Sequence, residues 1–251
     1  IEMVYSASSG HPGGALSIAD IMATLYFSEL NIPEVKSEER DRVVLSKGHC
    51  SPALYSTLAQ RGFFNEEELT KFRKIDSNLQ GHPDMNKVPG VDMTSGSLGQ
   101  GLSVANGMAL SSKMNSMGYR VYCLLGDGEI EEGQVWEAAM TSSKYKLDNL
   151  CVVVDNNNLQ IDGDIQSVKG LNKIEEKFES FGFNVITVNG NNIEQLIDAF
   201  DRAKMTKGMP TAIIAKTVKG KGVFFMENLA SWHGKAPKEE EFNLAMKELE
   251  D

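Results

Sequence analysis

Apolar residues in this chain fall into short unbroken runs divided by polar, glycine-containing turns. Val121-Tyr122-Cys123-Leu124-Leu125 is one such run, and it breaks at Gly126-Asp127-Gly128. In the segment that follows, Val135, Ala138, Ala139 and Ser142 recur with helical spacing. A second run, Leu150 to Val154, ends in Asp155-Asn156-Asn157-Asn158. Neither run alternates with polar residues, so both predict strands covered on both faces, as in a parallel sheet. The helix between them is the crossover that a parallel pair needs. Arg42–Leu45, Phe183–Val188 and Thr211–Ala215 predict three more strands. Helical spacing is found over Ile18–Tyr26, with Ser17 as its cap and Asp20 at N3, and over Ala53–Ala59, Asn65–Phe72, Ile174–Phe181 and Asn192–Lys204. A last helix is expected over 238–250, behind Pro237. The fold class is therefore α/β, a mostly parallel sheet with helices on both faces, in one domain over 1–251. Helical spacing is already present at Ile1, so the first helix is expected to be incomplete.

Composition narrows the setting. Hydrophobic residues make up 41% and charged residues 24%, which suits a globular core of this length. The net charge of −10 argues against nucleic acid or an anionic membrane as partner. No apolar stretch reaches the roughly 18 residues of a membrane-spanning helix. Cys50, Cys123 and Cys151 form no disulfide framework, and a reducing cytoplasm is the expected location. The chemistry lies in the turns. Asp127 offers a carboxylate and Asn157 an amide oxygen, both at carboxyl ends of strands, where open α/β sheets bind ligands. Gly126 and Gly128 let the backbone approach a ligand closely, beside a helix N-terminus that favours an anion. One or two protein oxygens together with phosphate and water complete a Mg²⁺ shell, so a metal-bridged diphosphate fits these turns.

Three of the four histidines, His11, His49 and His82, sit in loops with glycine and proline neighbours, and the fourth, His233, precedes Gly234. Each is open to a plain reading as a loop or capping histidine and to a functional one as a proton carrier or phosphate donor. The helix starting at Gly99-Gln100-Gly101 carries Ser103, Ala105, Gly107 and Ala109, and such small residues imply close backbone packing, within the domain or against another subunit. Lys216-Thr217-Val218-Lys219-Gly220-Lys221-Gly222 is a basic glycine loop, open to a reading as a source of local positive charge and to one as a solvated linker, the second slightly favoured for its lysines. The negative net charge leaves a question, because phosphorylated ligands need local positive charge.

Taken together, Ser9-Gly10-His11-Pro12-Gly13, Lys47-Gly48-His49, Gly81-His82-Pro83, Gly99-Gln100-Gly101, Gly126-Asp127-Gly128, Asn156-Asn157 with Ile161-Asp162-Gly163, and Trp232-His233-Gly234 resemble the transketolase family, in family order and over nearly the whole chain. The resemblance is to the family's first domain, the N-terminal subunit of a split, two-chain enzyme with a thiamine diphosphate-binding fold. It implies Asp127, Asn157 and the Leu159 carbonyl on Mg²⁺ or Ca²⁺. It further implies Gly128, His49 and His233 on the diphosphate, Gly96, Leu98 and Ile161 beside the cofactor rings, and Glu132 at a subunit interface. His11, His49, His82 and His233 are the implied catalytic residues. The implied reaction moves a two-carbon glycolaldehyde unit from a ketose phosphate to an aldose phosphate, as in the pentose phosphate pathway. The implied partner is a complementary C-terminal subunit carrying the activating glutamate, in an α2β2 heterotetramer. Other readings are a deoxyxylulose phosphate synthase-like or 2-oxo acid dehydrogenase-like subunit, or a non-catalytic cofactor-binding paralogue.

Overall fold

A computed structural model describes residues 1–35 and 37–250. Five parallel strands, β1 (Arg42–Leu45), β2 (Val121–Gly126), β3 (Leu150–Asn156), β6 (Asn184–Asn189) and β7 (Thr211–Lys216), form one sheet in the order β1-β2-β3-β7-β6. A two-stranded antiparallel hairpin, β4 (Leu159–Gln160) with β5 (Gly163–Asp164), follows β3 directly. The helices are α1 (Glu2–Ser6), α2 (Pro12–Ser17), α3 (Ala19–Thr24), α4 (Ser51–Gln60), α5 (Gly101–Met114), α6 (Gly133–Lys144), α7 (Ile165–Val168), α8 (Ile174–Ser180), α9 (Ile193–Met205) and α10 (Glu239–Glu250).

The unbroken apolar runs are explained by two cores, one on each face of the sheet. Tyr122, Leu124, Cys151, Val153, Ile213 and Ala215 face α3, α4 and α9, whereas Val121, Cys123, Leu125, Val152, Val154, Ala212 and Ile214 face α5, α6 and α8. Successive side chains on a strand point to opposite faces, so a strand buried twice has no polar positions. Val135, Ala138, Ala139 and Ser142 are the buried stripe of α6. Leu196, Ala199, Phe200 and Ala203 do the same for α9, whose first turn is capped by Asn192 accepting from the Gln195 N–H at 2.9 Å. The segment after Asn65 is a 3₁₀ helix, Glu66–Lys71, capped through the Glu67 N–H. No helix among the described residues is long and apolar enough to cross a membrane.

The strand order fixes where a ligand can bind. From β1 through β3 the chain steps across the sheet in one direction, and from β6 to β7 it steps back. Right-handed crossovers then place α6 and α9 on opposite faces of the sheet. The carboxyl ends of β1, β2, β3 and β7 lie side by side at one edge of the sheet, and the loops leaving them, at Lys47, Asp127, Asn157 and Lys219, enclose a crevice.

Candidate functional site

A cavity of about 320 Å³ occupies this crevice, with walls that include Lys47, His49, Asp127, Gly128, Asn157, Leu159, Lys219 and His233. Asp127 follows β2 and is 2% exposed. Its carboxylate accepts from the Gly128 N–H at 2.8 Å, the Asn158 N–H at 2.5 Å and the Asn156 amide at 3.2 Å, all neutral donors. Burial, and after it the charge of Asp155, push this carboxyl up to about 6. The Asn157 amide is oriented at both ends, donating to Asp155 at 2.9 Å while its oxygen accepts from the Leu159 N–H at 3.0 Å. A hard cation suits this set of donors: one carboxylate without a cationic partner, one amide oxygen and one backbone carbonyl, with room for phosphate and water. No group of three or more His, Cys, Asp or Glu side chains placed to hold a metal ion occurs among the described residues, so an imidazole–thiolate type of site is not built here.

The positive charge missing from the overall composition lies in the cavity wall. Lys47, after β1, is 2% exposed and forms an ion pair with Asp155, which is 1% exposed at the end of β3. Burial opposes the charge on both, yet their pairing holds the ammonium above and the carboxyl below its usual range. Asp155 also accepts from Ser17 at 2.5 Å and from Thr217. Ser17 is therefore not the cap of the next helix, as its sequence position suggested: its hydroxyl is turned inward to Asp155 and the Gly14 carbonyl. Lys219 is likewise no linker residue. It is 2% exposed and donates to the Leu159 carbonyl at 3.1 Å and to Nδ1 of His233 at 3.0 Å. An ammonium only donates, so His233 accepts at Nδ1 and carries its proton on Nε2. Lys221, two positions on, pairs with Glu227 on the surface, which matches the linker reading. Sequence reasoning gave no role to Lys47 or Asp155 and left the Lys219 loop between a linker and a source of positive charge, although each stands at or just beyond the carboxyl end of a buried strand.

The four histidines arrive on four separate loops and meet. The ring of His11 lies 5.2 Å from that of His49, 5.5 Å from His233 and 6.5 Å from His82, and His49 and His233 are 5.1 Å apart. Glycines border three of the rings, at distances where a Cβ would make ordinary contact. A Cβ on Gly14 would lie 3.7 Å from His49, one on Gly234 3.6 Å from His11, and one on Gly96 3.4 Å from His82. Burial, with Lys47, His233 and His11 adding to it, draws His49 down to about 2. Burial, followed by Lys219, takes His233 to about 3, and burial, followed by Arg73, takes His11 to about 4. His82 is exposed at the mouth and is lowered by what burial it has and by Arg73. All four rings are thus neutral near pH 7, able to accept at one nitrogen and donate at the other. Nδ1 of His11 is buried with no protein partner.

Leu98 and Ile161 line the outer wall and are 39% and 66% exposed, and Glu132 is exposed on the same side. Gly96 stands outside the cavity wall, in contact range of His82. Glu129 ties this wall to the strand ends: its carboxylate accepts from Ser46, from the Gly99 N–H at 3.0 Å and from the Gly126 N–H at 2.9 Å. The residues expected around metal, diphosphate and rings are thus placed along one crevice, with His11, His82 and Gly96 forming its outer extension.

Residues 1–250 match the family described as the thiamine diphosphate-binding domain of transketolase. The chain is similar to one of the subunits of an apulose-4-phosphate transketolase from Phocaeicola vulgatus, with 41% identity over all of this chain and 90% of that relative. It is 42% identical to a 6-deoxy-6-sulfo-D-fructose transketolase subunit of a Clostridium species, again over all of this chain and over 92% of the relative. Among solved structures, transketolase from Campylobacter jejuni superposes with a TM-score of 0.93 at 35% identity, over 99% of this chain and only 40% of that one.

Proposed function

The chain belongs to the transketolase family, in its thiamine diphosphate-binding domain, and from that premise we propose that it is the diphosphate-holding subunit of a two-chain transketolase. The observation that carries this reading is the convergence of Asp127, Asn157, Leu159, His49, His233 and Lys219 on one crevice at the sheet's carboxyl edge. Asp127, the Asn157 amide oxygen and the Leu159 carbonyl would hold Mg²⁺ or Ca²⁺. The Gly128 backbone, His49, His233 and the Lys219 ammonium would meet the diphosphate oxygens, and Leu98 and Ile161 would cover the rings. Thiamine diphosphate, when bound, supplies the electron sink for breaking and making a carbon–carbon bond.

The protein's part is positioning and proton transfer. His233, fixed as the Nε2–H tautomer by Lys219, presents a donor. His11, with an unpartnered buried nitrogen, and His82, at the mouth, would face the sugar's hydroxyl and carbonyl oxygens and pass protons as the two-carbon unit moves between sugar phosphates. The other half of the enclosure, including the glutamate that activates the cofactor, would come from a complementary chain in an α2β2 assembly in the cytoplasm. Names of two relatives support this division of labour, since both are called subunits of transketolases. Those names differ in substrate, and the grip on the sugar's distal end is assigned to the complementary chain.

The test is calorimetric. The assembled wild-type protein should bind thiamine diphosphate in a manner that requires divalent metal. Asp127→Asn, which removes the charged ligand, should weaken that binding on the order of 100-fold or more. Unchanged, metal-dependent affinity in Asp127→Asn would overturn the assignment.

A further inference from the structure

Arg73 stands between two of the histidine loops and holds a conformation that has a local cost. Its φ is +58°, in the left-handed region that disfavours a residue with a long side chain. Its Nε is buried with no partner. Such features persist where the surroundings over-determine them, and they concentrate at functional sites. The guanidinium lies over the ring of Phe72, 5.5 Å from its centroid, and Phe72 in turn packs against Tyr55 of α4. From this platform it donates to the Ser9 hydroxyl at 2.9 Å, on the loop that carries His11. Its other edge lies against Gly81, on the loop that carries His82. A Cβ at Gly81 would meet the guanidinium atoms at 2.5–2.9 Å, so a glycine there is what lets the arginine lie flat. The His82 loop is pinned from the opposite side by α4, through Ser51 donating to the Gly81 carbonyl at 2.8 Å and Tyr55 donating to the Gln80 carbonyl at 2.9 Å.

We infer that Arg73 is a positioning residue that clamps the His11 loop to the His82 loop and so sets the relative placement of the two imidazoles. The inference rests on the reading that these histidines face the sugar substrate. Removing the clamp frees the His11 loop at Ser9, while the His82 loop keeps its ties to α4. The diphosphate end of the crevice, built on Asp127, Asn157 and Lys219, is untouched. The charged and titratable groups around His11 are Arg73, His82, Lys219 and the rings of His49 and His233; His82 faces Arg73 and His11.

The experiment compares Arg73→Met, Gly81→Ala and the double variant. Gly81 does not have a positive φ, so alanine suits its backbone and acts only by pushing the guanidinium aside. In the assembled enzyme, Arg73→Met should lower kcat/KM for the ketose phosphate donor by up to about 100-fold, the scale of a small misplacement of reacting groups, with cofactor affinity unchanged. Gly81→Ala should reproduce much of that loss, and the double variant should be no worse than Arg73→Met, because both act through one contact. Imidazole NMR on the chain alone is the independent readout. In Arg73→Met the His11 and His82 signals should move and titrate closer to pH 6.5, while His49 and His233 stay in place. Losses that add in the double variant, or His11 and His82 signals unmoved by Arg73→Met, would overturn the clamp. If the wild-type assembly transfers no two-carbon unit, the functional reading fails, and the NMR comparison still decides on the clamp.

Discussion

At neutral pH the histidines of the crevice are held uncharged, and the sign of the consequence is fixed. His49, His233 and His11 lie at about 2, 3 and 4 in the folded chain, below the 6.5 of a free imidazole. Between those values the unfolded chain binds more protons, so stability falls as the pH drops below about 6.5. Asp127 acts the other way, because its folded value of about 6 lies above the usual 3.8, and burial raises Asp41 and Glu129 in the same direction, but four histidines are lowered. Thermal melts of the chain alone should therefore show falling stability between about pH 7.5 and 5.5. His49→Gln should remove on the order of one proton from the linked uptake across that range. A melting temperature that is flat with pH in the wild type would contradict the burial of these rings. The histidines were readable in the sequence because glycine and proline neighbours mark loops that hold a side chain in a set place. Lys219 stayed undecided between linker and local positive charge, since a lysine among glycines has the same signature whether it points to solvent or to a buried carbonyl. Asp155 was hidden for a related reason: the polar residue ending an apolar run looks like a turn, and only the fold brings Lys47 to it.

The elements are joined at the crevice by charge as well as by packing. Lys47 leaves β1 and Asp155 ends β3, and β2 lies between them in the sheet. Lys47→Met should destabilise the chain by roughly 3–5 kcal/mol in urea unfolding, because it strands a buried carboxylate. Lys47→Met with Asp155→Leu should recover part of that loss, and an unchanged unfolding midpoint in the single variant would refute the pairing. Helix α5 shows how one sequence feature can have two causes. Gly101 is packed against Ser46, so its lack of a side chain serves the domain itself. Gly107 is exposed, and a Cβ there would meet nothing within 4 Å. Gly107→Ala should then stabilise the chain alone by about 0.5–1 kcal/mol, whereas Gly107→Leu should leave it folded and weaken assembly with the complementary chain. Normal assembly of Gly107→Leu, measured by analytical ultracentrifugation, would remove this face of α5 from the interface. All five sheet strands were visible, β1 with its observed bounds and the others within a residue or two, although β6 is a mixed run and not an apolar one. Beyond the β2–β3 parallel pair, which the crossover helix marks, their order was not visible, because hydrophobic pattern reports burial and says nothing about which neighbour a strand pairs with. The reversal between β3 and β7 is therefore a property of the fold alone.

On the scale of the whole molecule, a net charge of −10 coexists with a crevice whose wall includes Lys47, Lys169 and Lys219. The field that matters to an anionic cofactor is local, and a low-polarity wall concentrates it. The same crevice is open on the side of Leu98, Ile161 and Glu132. In this account the complementary chain closes that side and brings the activating carboxylate. Three of the acidic residues here have other engagements: Asp127 is ringed by neutral donors, Glu129 is tied to Ser46, Gly99 and Gly126, and Asp155 is paired with Lys47, while Glu131 accepts from Gln160 at 3.3 Å and Glu132 is exposed at the open side. The most direct measurement is transfer of a two-carbon unit from a ketose phosphate to an aldose phosphate, with thiamine diphosphate and Mg²⁺ present, by the purified chain alone and after addition of the complementary chain. The account predicts no turnover alone and restored turnover together. Robust turnover by these 251 residues without a partner would place the activating acid within them and contradict the division of the enzyme into two chains.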